Sequence, residues 1–346
     1  MDFSNKQTFQ FRQFYVRILL SALFLGTISS GLSFAAQPDR NKRAAIMVPL
    51  ASKTLILDLA TAGERTIAVG WRGHILLSDD DGTSWRQVET PTRDMLTGIY
   101  FTDDKRGWAV GHSAVILVTE NGGETWKLQC SAPEEERPLF DVIVTGNYGF
   151  AIGAYAKFMV TQNGGKSWQP SEFIIQQDKA AANKALDDEE PLPFDYHLNG
   201  IARSAAGAYY IAAEAGFIFR SDDGGHTWQK LPSPYEGSFF GILPLDGEKL
   251  IVYGLRGHIF RSENGGQNWK KIETGTTALL TDATTLENGT IIVTGMAGII
   301  LTSTDNGQSF TLKQPNRISL TSVVKTKSGK LIIAGERGAK VDKSEY

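Results

Sequence analysis

The chain has 346 residues, 41% of them apolar and 21% charged, with a formal net charge of −3. That balance supports a large buried core and excludes both a disordered chain and a polytopic membrane protein. The slight acidity argues against a nucleic-acid partner, and a single cysteine, Cys130, excludes an intramolecular disulfide and a cysteine-based metal site.

The first element reads as an address. Arg12 and Arg17 precede an apolar run over residues 18–28, and the small residues Ser33 and Ala35 follow before Ala36. This is the charged, apolar and small-residue order of a secretory signal peptide. The run is shorter than the roughly 20 apolar residues that span a bilayer, so residues 1–35 are predicted to be a cleaved signal and 36–44 a linker. Export to the periplasm is expected, or to the thylakoid lumen if the source is photosynthetic.

After residue 50 one motif recurs six times: SDDDGTSW (78–85), TENGGETW (119–126), TQNGGKSW (161–168), SDDGGHTW (221–228), SENGGQNW (262–269) and STDNGQSF (303–310). The terminal aromatic steps by 41, 42, 60, 41 and 41 residues. A fixed period of that size suits one four-stranded propeller blade. The Asp or Asn is expected to hydrogen-bond its own turn, and the aromatic to bury a ring between neighbouring sheets.

A second element precedes each box, as in IAVGWRGHILL (67–77) and IVYGLRGHIFR (251–261), and it occurs seven times, ending with IIAGERGAKVD (332–342). It predicts two strands joined by a tight glycine turn. A further strand before each copy, such as 96–103 or 320–326, completes the blade. The fold class is therefore all-β, a seven-bladed β-propeller over 45–346. Its blades are predicted near 53–92, 93–134, 137–175, 197–234, 236–275, 277–315 and 318–346. Blade seven has no box and no fourth strand of its own. The apolar residues 45–50 are expected to pair onto it and close the ring, because closure hides edge strands, and Pro49 suits an outer edge.

Strand alternation puts the box turns on one end of the ring. The glycine turns and the blade-to-blade links fall on the other, and two marks lie on that second end. The 60-residue step contains an insertion over 171–197, between blades three and four. It carries Glu172, Asp178, Asp187, Asp188, Glu189, Glu190 and Asp195 against Lys179 and Lys184, with a short helix predicted over 174–185. Long insertions in compact domains are often functional. The other mark is an arginine at one equivalent turn position in three blades: Arg72, Arg256 and Arg337. Ser113, Tyr155, Ala215 and Ala297 stand there in the others. Arginine suits bidentate capture of carboxylates, so these three, with Tyr155 and Trp71, are the candidate binding residues.

No catalytic or metal constellation stands out. Residues 163–167 resemble a phosphate loop, but Val160 occupies the place of its first glycine. Asp79, Asp80 and Asp81 lack the spacing of a calcium loop, and the five histidines form no ligand pair. No cofactor and no metal are expected.

The boxes match the Asp-box, or bacterial neuraminidase, repeat. Over roughly 45–346 their combination with the glycine turns resembles the photosystem II stability/assembly factor-like propeller family. That resemblance implies exported seven-bladed propellers without catalysis, which contact a precursor subunit of the reaction centre through an arginine-lined face. It implies here a monomeric, non-enzymatic assembly or stability factor whose partner is a subunit of a membrane protein complex, with Arg72, Arg256 and Arg337 at the contact. The alternatives are a sialidase-type glycoside hydrolase, with the arginines clamping a carboxylate and Tyr155 as nucleophile, and a cell-surface glycan-binding propeller.

Overall fold

The structure, a computed structural model, describes residues 43–176 and 196–344. Among these the regular elements are strands and three-residue 3-10 turns, with no α-helix. Seven sheets succeed one another along the chain, each with four antiparallel strands, or three, running from an inner to an outer strand. The innermost strands are Ile56–Ala62, Leu96–Phe101, Leu139–Thr145, Leu198–Arg203, Phe239–Pro244, Leu280–Thr285 and Leu320–Lys325. They pack in chain order around one axis, and the last packs against the first. The all-β, seven-bladed architecture is thus the one the repeats predict. The predicted signal peptide lies outside the described residues.

The second strand of each blade, such as Gly107–Gly111 or Ile291–Gly295, is buried along its whole length. It is covered by a neighbouring blade on each face, which is why it reads as a continuous apolar run rather than an alternation. The box builds the turn from third to fourth strand. Ser78 Oγ accepts the Gly82 N–H at 2.8 Å and donates to Asp80 at 2.9 Å, while Asp80 accepts the Ser84 N–H at 2.8 Å. The same clamp recurs at Thr119 and Asn121, and at Ser303 and Asp305. Glycine is required within it. At Gly225, with φ +89°, an added Cβ would fall 2.0 Å from the Phe150 ring.

Each box aromatic packs against the preceding blade: Trp126 between blades one and two, Trp228 between three and four, and Phe310 between five and six. Blade seven has no box. The apolar cluster between blades six and seven is correspondingly the smallest of those described, and a groove of about 570 Å³ runs beside Leu331 and Val341.

One part of the expectation is corrected. Residues 45–50 do not pair onto blade seven, which holds three strands, Leu320–Lys325, Leu331–Gly335 and Gly338–Val341. The segment lies along the outer strand of blade one instead. The Ala45 N–H donates to Thr90 O at 3.0 Å and the Val48 N–H to Gln87 Oε1 at 2.9 Å, while Gln87 Nε2 donates to Ile46 O at 3.0 Å. A single glutamine side chain thus takes up the backbone groups that a ladder would have used, and Pro49 has no N–H to offer. Closure runs through the interior. Thr321 Oγ1 donates to Ile56 O at 2.7 Å, and Val48 and Trp85 pack with Ile332 and Ala339. Deleting residues 45–50 is therefore expected to cost only about 1–2 kcal/mol, the scale of a few lost hydrogen bonds and one half-buried valine. Urea denaturation would check this, and a cost above that range would restore a closing role.

The insertion also begins differently from the prediction. Phe173 is buried among the rings of blades three and four. Ile175–Gln176 is a fifth strand, parallel to Trp228–Lys230 on the outer edge of blade four. The predicted helix from residue 174 is extended where it is described, because the alternation of Phe173 and Ile175 against exposed Ile174 fits a sheet edge. The remainder of that helix, and the acidic residues 178–195, lie outside the described residues.

Candidate functional site

The turns between second and third strands share one geometry in six blades. A 3-10 turn holds its central residue left-handed, at φ 54° for Arg72, 57° for Ser113, 51° for Tyr155, 52° for Ala215, 56° for Arg256 and 56° for Ala297. Such a backbone is uncommon for a non-glycine residue. In four of these blades the next residue is a glycine that passes close to the link entering the next blade. At Gly73 an added Cβ would meet Thr92 O at 2.2 Å. The glycine turns and the links therefore meet at one end of the ring, opposite the boxes, and this is the candidate docking face.

The central residues point outward. Arg72, Arg256 and Arg337 are exposed, and among the described residues no carboxylate lies within ion-pair range of any of them. Trp71 is 43% exposed and Tyr155 50%. The Arg72 guanidinium lies over the Trp71 ring at 5.8 Å, an exposed cation–π contact. The positive field is felt by neighbouring imidazoles. Burial, and then the Arg72 charge, lower the pKa of His74, which contacts Thr54 Oγ1 at 3.2 Å. Burial, and then Lys271 and Arg256, do the same to His258. Arg256, His258 and Lys271 line a shallow hollow of about 360 Å³.

The candidate residues do not form one cluster. Arg337 and Arg72 stand on adjacent blades, seven and one, with Trp71 beside the latter. Arg256 is two blades from Arg337. Blade seven also makes its turn one residue shorter, since Gly335 pairs directly with Gly338 and leaves Glu336 and Arg337 as a two-residue loop. Arg337 is consequently not left-handed, and its backbone is not equivalent to that of Arg72. Tyr155 belongs to another sector. Its ring contacts His197 at a centroid distance of 5.0 Å, and its carbonyl accepts from Arg137. A tyrosine nucleophile beside an arginine clamp is therefore not assembled.

Three basic residues on the same face escaped the repeat analysis, all exposed: Arg93 and Arg317 in links between blades, and Lys53 in the segment that enters blade one. The links vary in length and composition, so aligning boxes and glycine turns does not align them. With them, blades five, six, seven and one present Arg256, Arg317, Arg337, Lys53, Arg72 and Arg93, with Glu273 and Glu336 among them, while blades two to four present Glu134, Glu136, Glu214 and Glu236. The exposed apolar side chains Trp71 and Met296 lie in the basic sector. Among the described residues no group of three His, Cys, Asp or Glu side chains is arranged to hold a metal ion, and no helix is long and apolar enough to cross a membrane.

A family model described as photosynthesis system II assembly factor YCF48 matches residues 77–176 and 134–292, together more than half of the chain. Among curated proteins, the photosystem II assembly protein Ycf48 of Synechococcus sp. (strain JA-3-3Ab) is 34% identical over 147 residues, 42% of this chain and 39% of that protein. The chloroplastic photosystem II stability/assembly factor HCF136 of Cyanidioschyzon merolae is 44% identical over 48 residues, 13% of this chain and 11% of that one. The matches thus span about two-fifths or less of these relatives. Among solved structures, one titled "YCF48 bound to D1 peptide" superposes with a TM-score of 0.64 at 19% identity, covering 87% of this chain and 96% of that one. YCF48 from Cyanidioschyzon merolae gives 0.65 at 15% identity, over 86% and 98%. At such identities the likeness is one of fold.

Proposed function

The chain belongs to the photosynthesis system II assembly factor YCF48 family, and from that premise we propose that it is an exported, non-catalytic docking propeller. It acts as an assembly or stability factor for a membrane protein complex. The basic sector of the link-and-turn face receives an extended, acidic or carboxylate-bearing segment of a complex subunit. The observation that carries this reading is the set of exposed guanidiniums of Arg72, Arg256 and Arg337, none with a carboxylate partner among the described residues. Guanidiniums held on a rigid ring and left unpaired suit charged, bidentate recognition. The fold neighbour titled as bound to a D1 peptide supports a peptide segment of a membrane subunit as the ligand class. The signal-like residues 1–35 support a location beyond the cytoplasmic membrane, in the lumen where the source is photosynthetic.

The test is capture from detergent-solubilised membranes of the source organism on the immobilised full chain, read by mass spectrometry. Wild-type protein is expected to enrich one membrane complex. The triple variant Arg72→Ala, Arg256→Ala, Arg337→Ala is expected to lose at least about tenfold of that capture, the worth of one or two charged contacts. Its thermal midpoint should stay unchanged, because alanine already occupies the turn position of Arg72 and Arg256 at Ala215 and Ala297, and Arg337 is an exposed residue of a two-residue loop. Equal capture by the variant would sink the reading.

A further inference from the structure

The ring closes between blades seven and one without a completing outer strand, so its junctions near the axis carry more of the closure. Three aspartates stand at one equivalent point there, just past the bulge of an innermost strand: Asp58 in blade one, Asp141 in blade three and Asp282 in blade six. Each joins its blade to the next. Asp58 accepts the Ile99 N–H at 2.9 Å, Asp141 the Ile201 N–H at 2.9 Å and Asp282 the Val323 N–H at 2.8 Å. The same point in blade seven is Ser322. Its Oγ lies 3.0 Å from Asp58 Oδ1 and 2.7 Å from Asp282 Oδ2.

A hydroxyl has one proton to donate. With both carboxylates ionised, Ser322 can satisfy one and must turn a lone pair towards the other. With one carboxyl protonated the chain is complete: that acid donates to Ser322 Oγ, and Ser322 donates to the remaining carboxylate. The axial cavity, about 390 Å³, has no lysine, arginine or histidine among its lining residues to neutralise a second charge. The titratable groups facing the bridge are Asp141, across the cavity from blade three, and the Tyr253 hydroxyl from blade five. On the strands packed against it, Lys325 pairs with Glu287 and Arg65 with Asp79 at the box end, and Tyr100 lies towards Asp141.

We propose that blades six, seven and one are held together by one proton shared along Asp58–Ser322–Asp282, so that ring closure tightens as the surroundings acidify. The titration of the two acids agrees in sign. Burial, and then the Asp282 and Asp141 charges, raise Asp58 well above the usual carboxylate range, and burial takes Asp282 up to about 6. A carboxyl whose folded pKa is raised contributes stability that is complete below its unfolded value near 4 and lost as pH rises through the folded value. For Asp282 the window therefore runs from pH 4 to about 6.

The test is hydrogen-exchange mass spectrometry of the full chain at pH 5 and pH 8, corrected for intrinsic exchange. In wild-type protein, peptides covering 56–62 and 320–325 are expected to lose about tenfold in protection at the higher pH, the equivalent of roughly one pKa unit. In Asp58→Asn the amide donates to Ser322 without needing a proton, so the difference between pH 5 and pH 8 should shrink, with Asp282 alone still titrating at the junction. Asp141→Asn, which removes a charge across the cavity but no hydrogen bond of the bridge, should keep most of the wild-type difference in these peptides. Should Asp58→Asn fail to fold, Ser322→Ala removes the bridge and should shrink the wild-type difference, burial of the two acids sustaining the rest. Unchanged wild-type protection between the two pH values, or a variant at Asp58 or Ser322 that follows the wild type, overturns the proposal.

Discussion

Replacing Trp228 by alanine is expected to destabilise the protein by about 3–5 kcal/mol, lowering its thermal midpoint by roughly 10 °C. Trp228 is fully buried, with Phe150 and Phe158 at 6.1 Å and Phe173 at 5.4 Å between ring centroids. It fills the space between blades three and four and supports the fifth strand, whose Ile175 is its direct partner. Removal leaves a cavity that rigid sheets on both sides cannot close. The indole N–H separates volume from hydrogen bonding. Trp228 Nε1 has no hydrogen-bond partner among the described residues, whereas Trp126 Nε1 donates to Gly123 O at 2.9 Å. Trp228→Phe should thus cost less than Trp126→Phe, which loses a bond worth about 1 kcal/mol. Urea denaturation of the three variants would check the order. A Trp228→Ala loss below that of Trp126→Phe would contradict the packing argument.

The repeats made the blades legible because each carries its own chemistry. A Ser or Thr and an Asp or Asn two residues on must clamp the turn, and an aromatic must fill the interface with the preceding blade. Both needs recur at every period, so both show in the sequence. What recurs only in space stayed hidden. The aspartates at 58, 141 and 282 occupy one point of the inner strand, but those strands look apolar, and the acids bridge blades 40 or more residues apart, as Asp58 does to Ile99. The basic residues Lys53, Arg93 and Arg317 belong to segments without a repeat. Residues 45–50 misled because apolarity alone selects a buried place and not a pairing partner. Gln87, an outer-strand residue of blade one, decided that. The two-residue turn at Arg337 misled because its glycines align with those of Arg72, while its register differs by one residue. Alternation at Phe173 and Ile175 was present in the sequence and outweighed there by a helix expectation.

The clustering of basic side chains on blades five, six, seven and one of the docking face leads to a kinetic expectation stronger than the alanine test. Consider Arg72→Glu with Arg337→Glu, measured as association of the captured complex at low ionic strength. Both residues flank the junction of blades seven and one, and both are exposed, so reversal converts an attractive patch into a repulsive one without a folding cost. Steering fields of this kind change association rates by one to two orders of magnitude, and the double reversal is expected to slow association about 10–100-fold. The loss should shrink as salt rises, because the screening length falls from about 10 Å at 0.1 M to about 3 Å at 1 M. The control changes the same net charge elsewhere. Lys127 and Lys270 are exposed on outer strands of blades two and five, and Lys127→Glu with Lys270→Glu should slow association by less than about twofold, since the patch rather than the total charge steers. If the two pairs slow association equally, net charge suffices and the basic sector is not the docking site. If neither does, the partner meets the ring on another surface.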